Sequence, residues 1–193
     1  MAVSITENSL TITPSREKGL AYLYLRELIA DSTYWQAMVD DPDGTISELE
    51  TIVTAQTASR GNALAQISIE RIDDEGIAIS YPSCIIRYAT GEEIASRFGP
   101  GSFDVNGAFF IEFMSIIPRS YRDYPSLAAI DSAEKFDAIE QELMFPITDA
   151  ERLVIDSFQL LRQGAVKLES DSNEKGEIVR VSEYMVKFES AQA

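Results

Sequence analysis

Residues 103–118, FDVNGAFFIEFMSIIP, decide how the rest of the chain is read. Successive side chains of a strand point to opposite faces. The odd positions carry Phe103, Val105, Phe109, Ile111, Phe113 and Ile117, with Gly107 and Ser115 as gaps, so one face is apolar. The even positions hold Asp104, Asn106 and Glu112, as a solvated face should, but Phe110, Met114 and Ile116 break that pattern. This strand needs cover on two sides. Either elements of the same chain supply the second cover, as in a central strand with helices on both faces, or another molecule does.

Upstream of this strand, ALAQISIERI alternates, with Ala65, Ile67 and Ile69 on one face, and predicts a strand followed by a turn at DDEG. IAISYPSCIIRYA continues as extended chain interrupted at Pro82, which suits a sheet edge or bulge. TGEEIASRFGPGS predicts a loop or plain hairpin, because RFGPGS has neither phosphate-binding glycine spacing and precedes a strand rather than a helix. Nearer the N-terminus, residues 1–14 read as an extended arm. Pro14 and Ser15 open a helix whose stripe is Leu20, Leu23, Tyr24, Leu28 and Ile29. Asp31 or Ser32 caps a short helix carrying Trp35 and Met38, which DDPDG ends. Thr45, three residues before Glu48, forms a capping box for a helix bearing Ile46, Leu49, Ile52 and Val53.

Downstream, RSYRDYPS reads as a loop, and DSAEKFDAIEQELMF as a helix capped by Asp131 or Ser132, with Phe136, Ile139, Leu143 and Met144 at helical spacing and Pro146 as its end. TDAERLVIDSFQLLRQG predicts another helix, with Thr148 three before Glu151, apolar Leu153, Val154, Phe158 and Leu161, and Gly164 beyond its last turn. AVKLE and EIVRVSEYMVKFE, flanking a polar turn at 171–176, predict a closing hairpin. The order of helices, strands, helices and hairpin predicts a single α+β domain over residues 1–193, a mainly antiparallel sheet flanked by helices.

Charge bounds the partners. Sixteen Lys and Arg against thirty-two Asp and Glu leave a net charge of −16. Such a field repels free phosphate backbone and anionic membrane. The opening residues lack the apolar core of a secretory signal, no stretch approaches the roughly 20 apolar residues of a spanning helix, and one cysteine, Cys84, allows no intrachain disulfide. These features predict a soluble protein of a reducing compartment.

The chemistry is bounded as firmly. The chain has no histidine, which removes Ser-His-Asp and Cys-His catalysis and the usual zinc sites. The acidic turns DPDG and DSNEKG fit a calcium loop poorly: in the second, Lys175 occupies a ligand position and Ser182 that of the bidentate glutamate. Both read as turns. PRSYRDYPS interleaves Arg119, Tyr121, Arg122 and Tyr124, types enriched where proteins meet proteins and where bases stack. Against the overall charge, protein contact is favoured over nucleic acid, and a solvated loop is the plain alternative.

The sequence of textures resembles the tail terminator, or tail completion and minor tail, proteins of long-tailed bacteriophages. The segments that carry the resemblance are the paired helices of GLAYLYLRELIADSTYWQAMV, the Tyr-Pro entry of SYPSCIIRYA, the apolar strand VNGAFFIEFMSIIP, the helix SAEKFDAIEQEL and the closing hairpin AVKLESDSNEKGEIVRVSEYMVKFE. They span about Gly19 to Glu189. The resemblance implies a structural virion protein of the tail or neck, made in the host cytoplasm, with no cofactor and no catalytic residue. It further implies a homo-oligomeric ring, a hexamer, that caps the tail tube and docks the head–tail connector, with DNA passing through its channel unbound. Phe110, Met114, Ile116, Tyr121, Arg122 and Tyr124 are then the expected interface residues. A different class, an acidic DNA mimic occupying the basic groove of a host nucleic-acid enzyme, is motivated by the charge. A carboxylate-metal enzyme would require a buried cluster of acids.

Overall fold

The computed structural model describes residues 5–7, 10–12, 17–69, 81–88, 98–99, 102–144, 157–162, 167–170 and 178–192. The fold is α+β. In the segment expected as an extended arm, strands β1 (Ile5–Glu7) and β2 (Leu10–Ile12) are extended and pair antiparallel with one another. Four helices follow: α1 (Glu17–Asp31), α2 (Thr33–Asp40), α3 (Ile46–Ala55) and α4 (Arg60–Ala65).

The caps are those the sequence dictates. Ser32 Oγ accepts from Trp35 N–H at 3.1 Å at the start of α2. Thr45 and Glu48 close a reciprocal capping box on α3. The first helix buries Tyr22, Leu25, Leu28 and Ile29, with Leu23 half-buried beside them. Ala65 is a correction. It ends α4 rather than entering a strand, because Ser59 accepts from Asn62 N–H and caps a short helix over RGNALA.

The main sheet runs β3 (Ile67–Ile69), β4 (Ser83–Tyr88), β6 (Ser102–Ile116), β9 (Ile178–Gln192), β7 (Ser157–Arg162), once β5 (Phe98–Gly99) is paired to β6 and β8 (Lys167–Ser170) to β9. All these pairings are antiparallel except β3 with β4. Within RFGPGS, Phe98 and Gly99 form β5 and pair antiparallel with Phe103 and Ser102 of β6, while Arg97, Pro100 and Gly101 lie outside the described residues. Pro82, in a cis peptide bond, stands just before β4 and so takes no donor from the ladder. The strand it precedes is internal, not an edge. Residues 157–162, expected as the end of a helix, form β7: Phe158 and Leu161 pair with Phe188 and Met185 of β9. The expected positions Thr148, Leu153, Val154, Gly164 and the turn 171–176 lie outside the described residues.

The helices cover the odd face of β6. Phe109, Ile111, Phe113 and Ile117 are buried there, and Ser115 with them. Phe113 joins three layers: its ring centroid lies 5.5 Å from that of Trp35 on α2 and 6.1 Å from that of Phe136 on α5 (Pro125–Met144). Tyr22 of α1 meets Phe109 at 6.3 Å. Trp35 also donates its indole N–H to the Ala63 carbonyl at 3.2 Å, so the core's largest side chain leaves no buried donor idle. Among the described residues, no helix is long and apolar enough to cross a membrane.

Candidate association surface

Helix α5 begins earlier than the spacing around Phe136 suggests. A 3-10 turn at Arg119–Tyr121 leads in, Tyr124 N–H donates to the Tyr121 carbonyl, and Pro125 takes the first helical position. Proline there is pre-set for the helix and lacks only a donor that would have no partner. Asp131 and Ser132, expected as caps, are therefore buried in the helix interior. Ser132 turns its hydroxyl back to the Ala128 carbonyl at 2.8 Å.

Asp131 caps a different helix. Its Oδ1 accepts from Ile46 N–H, at the start of α3, at 2.7 Å. Its Oδ2 faces Lys135 Nζ at 2.8 Å, one turn on, and both side chains are almost wholly buried. The same ammonium donates to the Gly44 carbonyl. One buried ion pair thus ties α5 to the turn at DPDG and to α3. That acidic turn is a turn indeed: Gly44 N–H donates to the Asp41 carbonyl at 3.2 Å, and Asp43 pairs with Arg119 at 2.8 Å.

With Ala128, Asp131, Ser132, Lys135, Phe136, Ile139 and Leu143 turned inward, the opposite face of α5 is left outside. Its first turns present Tyr124, Leu127 and Ile130, which are 59%, 47% and 56% exposed. They recur every third residue and so form one stripe. Further along, Glu134 and Asp137 of α5 join Tyr34, Ile46, Glu50 and Glu142 around an open groove of about 760 Å³. Glu142 accepts from Ser32 Oγ at 2.6 Å, from Thr33 Oγ1 and from Tyr34 N–H at 3.2 Å, holding the start of α2 against α5. Burial, then the Glu50 and Glu142 carboxylates, push the Tyr34 hydroxyl above its ordinary value.

The six residues expected at an interface fall into two groups. Arg122 and Tyr124 are exposed on the turn entering α5, with Tyr121 half-buried beside them. Phe110 and Ile116 are half-buried on the rear of β6, the side away from the helices. Met114 is corrected: it is only 7% exposed, sealed with Ile85 and Tyr81 in a small second cluster of this chain's own residues. Antiparallel pairing explains why, since Ser83 stands opposite Met114 and sets Tyr81 and Ile85, two residues to either side, next to it on the same face. That answers part of the question raised by the strand's even face. Leu127 and Ile130 were not anticipated; their signal was the three-residue spacing after Pro125, hidden while the helix was started at Asp131.

Among the described residues, no group of three or more His, Cys, Asp or Glu is placed to hold a metal ion. Cys84 is fully buried, and burial, with Glu112 nearby, pushes its thiol well up, so it behaves as a small hydrophobe. No protein-family model matches the chain. A search of curated proteins finds no significant relative.

Proposed function

We propose that the chain is a structural subunit of a long-tailed phage virion, of the tail terminator kind, which works by assembling into a ring and docking to other virion proteins. One observation carries this reading: Tyr124, Leu127 and Ile130 stand side by side in solvent next to Arg122. Large apolar side chains grouped on one surface mark a place where proteins meet, and Tyr and Arg are the types that dominate such contacts. The half-exposed Phe110 and Ile116 on the sheet's rear offer a second surface, as a ring subunit with two different neighbours requires. The net charge of −16 suits a channel through which DNA slides without sticking.

The test is a tail-tube polymerisation reaction followed by light scattering and by tube length in electron micrographs. Added at one ring per tube end, the chain is expected to halt elongation and shorten the tubes. Tubes that grow to the same length with and without it would remove the reading. A second reading, an acidic mimic of DNA, is favoured by the convergence of Glu50, Glu134, Asp137 and Glu142 on one groove. It predicts salt-sensitive capture of a nucleic-acid enzyme from host lysate and no effect on tube length.

A further inference from the structure

The turn DPDG, residues 41–44, follows α2 and needs glycine at its last position. A Cβ on Gly44 would stand 2.6 Å from Asp41 Oδ2 and 3.2 Å from the Asp41 carbonyl oxygen. The amide nitrogen of a glycine is the least shielded that a main chain offers, and Asp43 sets a carboxyl carbon one residue before it. An aspartate and a glycine in that order can close a five-membered succinimide ring. The chain holds one other step with the same chemistry, Asn106–Gly107 in β6, where the two residues pair with Glu189 and Phe188 along the β9 ladder. Cyclisation there would have to pull the strand out of the sheet. Asp41, in the same turn, precedes Pro42, whose nitrogen has no hydrogen to lose. Asp43 stands in the open: its side chain is 36% exposed, and the Arg119 that holds it is 78% exposed.

We propose that Asp43–Gly44 is a self-modification site, at which the folded chain converts slowly to isoaspartate under the restraint of Arg119. The Gly44 nitrogen attacks Asp43 Cγ. The amide proton, one proton from solvent and one carboxylate oxygen leave together as water. Solvent water then opens the ring. Cleavage of the new bond returns aspartate, whereas cleavage of the old peptide bond leaves the main chain running through Cβ and Cγ. Two contacts oppose the first step. Arg119 Nε donates to Asp43 Oδ2 at 2.8 Å, and Gly44 N–H donates to the Asp41 carbonyl at 3.2 Å. The first lies in solvent, so it holds the carboxylate only weakly. The product reaches the core. Isoaspartate adds one main-chain carbon just before Gly44, whose carbonyl accepts from the buried Lys135 Nζ. Moving that carbonyl leaves the ammonium with the Asp131 carboxylate alone of the two, and the joint between α3 and α5 loosens. This site stands apart from the ring, since it needs no second copy.

Ageing the full chain at neutral pH tests it, with peptide mapping by electron-transfer fragmentation, which distinguishes isoaspartate from aspartate. The wild type is expected to accumulate isoaspartate at position 43 while Asn106 keeps its amide. Arg119→Ala should speed that conversion about two- to fivefold, the range a solvent-exposed ion pair can hold back. Asp43→Glu keeps a carboxylate for Arg119 but would need a six-membered ring, and should stop the conversion. The isoaspartate form, separated by ion exchange, should melt below the fresh chain, and aged Asp43→Glu should not. No isoaspartate at 43, an equal rate in Arg119→Ala, or earlier loss of the Asn106 amide would overturn the site. An isoaspartate form that melts with the fresh chain would overturn its link to Lys135.

Discussion

Lys135 enters the interior as a cation and is tolerated because each of its neighbours answers it: the Asp131 carboxylate at 2.8 Å and the Gly44 carbonyl. A buried pair adds little net stability over an apolar one, but removing a single partner strands a charge. Asp131→Ala would leave Lys135 without its counter-ion and Ile46 N–H without its acceptor. We expect a loss of about 3–5 kcal/mol in urea unfolding. Asp131→Asn keeps an oxygen for Ile46 and should cost less; equal stability of Asp131→Ala and wild type would refute this role. Tyr34 gives a pH signature. Its hydroxyl value is raised in the folded state, so the fold prefers the neutral phenol. The associated stability is intact below the ordinary value of about 10 and is lost as pH rises through the folded value above it. Melting temperatures of the wild type should therefore fall faster above pH 10 than those of Tyr34→Phe. Parallel curves would contradict the assignment. At this scale the capping box of Thr45 and Glu48 was plain in the sequence, because both partners lie within one turn. Asp131 misled, since a residue suited to cap a helix does so here for a segment 85 positions away.

Helix α3 closes on Gln56 in the left-handed region, φ 52° and ψ 42°, with its N–H directed to the carbonyls of Ile52 and Val53. Glycine occupies that conformation without the clash a Cβ brings. Gln56→Gly should raise stability by about 0.5–1 kcal/mol, read as a higher urea midpoint with unchanged slope. A lower midpoint would mean that the side chain holds the turn. Helices with nearby caps and a single apolar stripe were legible, as was β6 from its alternation and the β8–β9 hairpin from its polar turn. Strand β7 was not: Phe158 and Leu161 are three apart and fit a helix equally well. What makes residues 157–162 extended is a partner beginning some 22 residues later, at the Arg162–Tyr184 pair, which no local window contains.

Across the molecule, a net charge of −16 opposes association everywhere except where apolar surface or local positive charge outweighs it. The stripe at the start of α5 supplies such an apolar surface. The sequence pointed to Tyr121, Arg122 and Tyr124 as a contact region through composition alone, but whether neighbouring apolar positions are covered is set by packing between distant elements. Hence Met114 proved internal and Leu127 external. Sedimentation equilibrium of the wild-type chain over a wide concentration range tests the central claim most directly. If the chain works by joining other proteins, beginning with its own copies, the weight-average mass climbs reversibly above 21.4 kDa as concentration rises. A mass that stays at the monomer value throughout would contradict it.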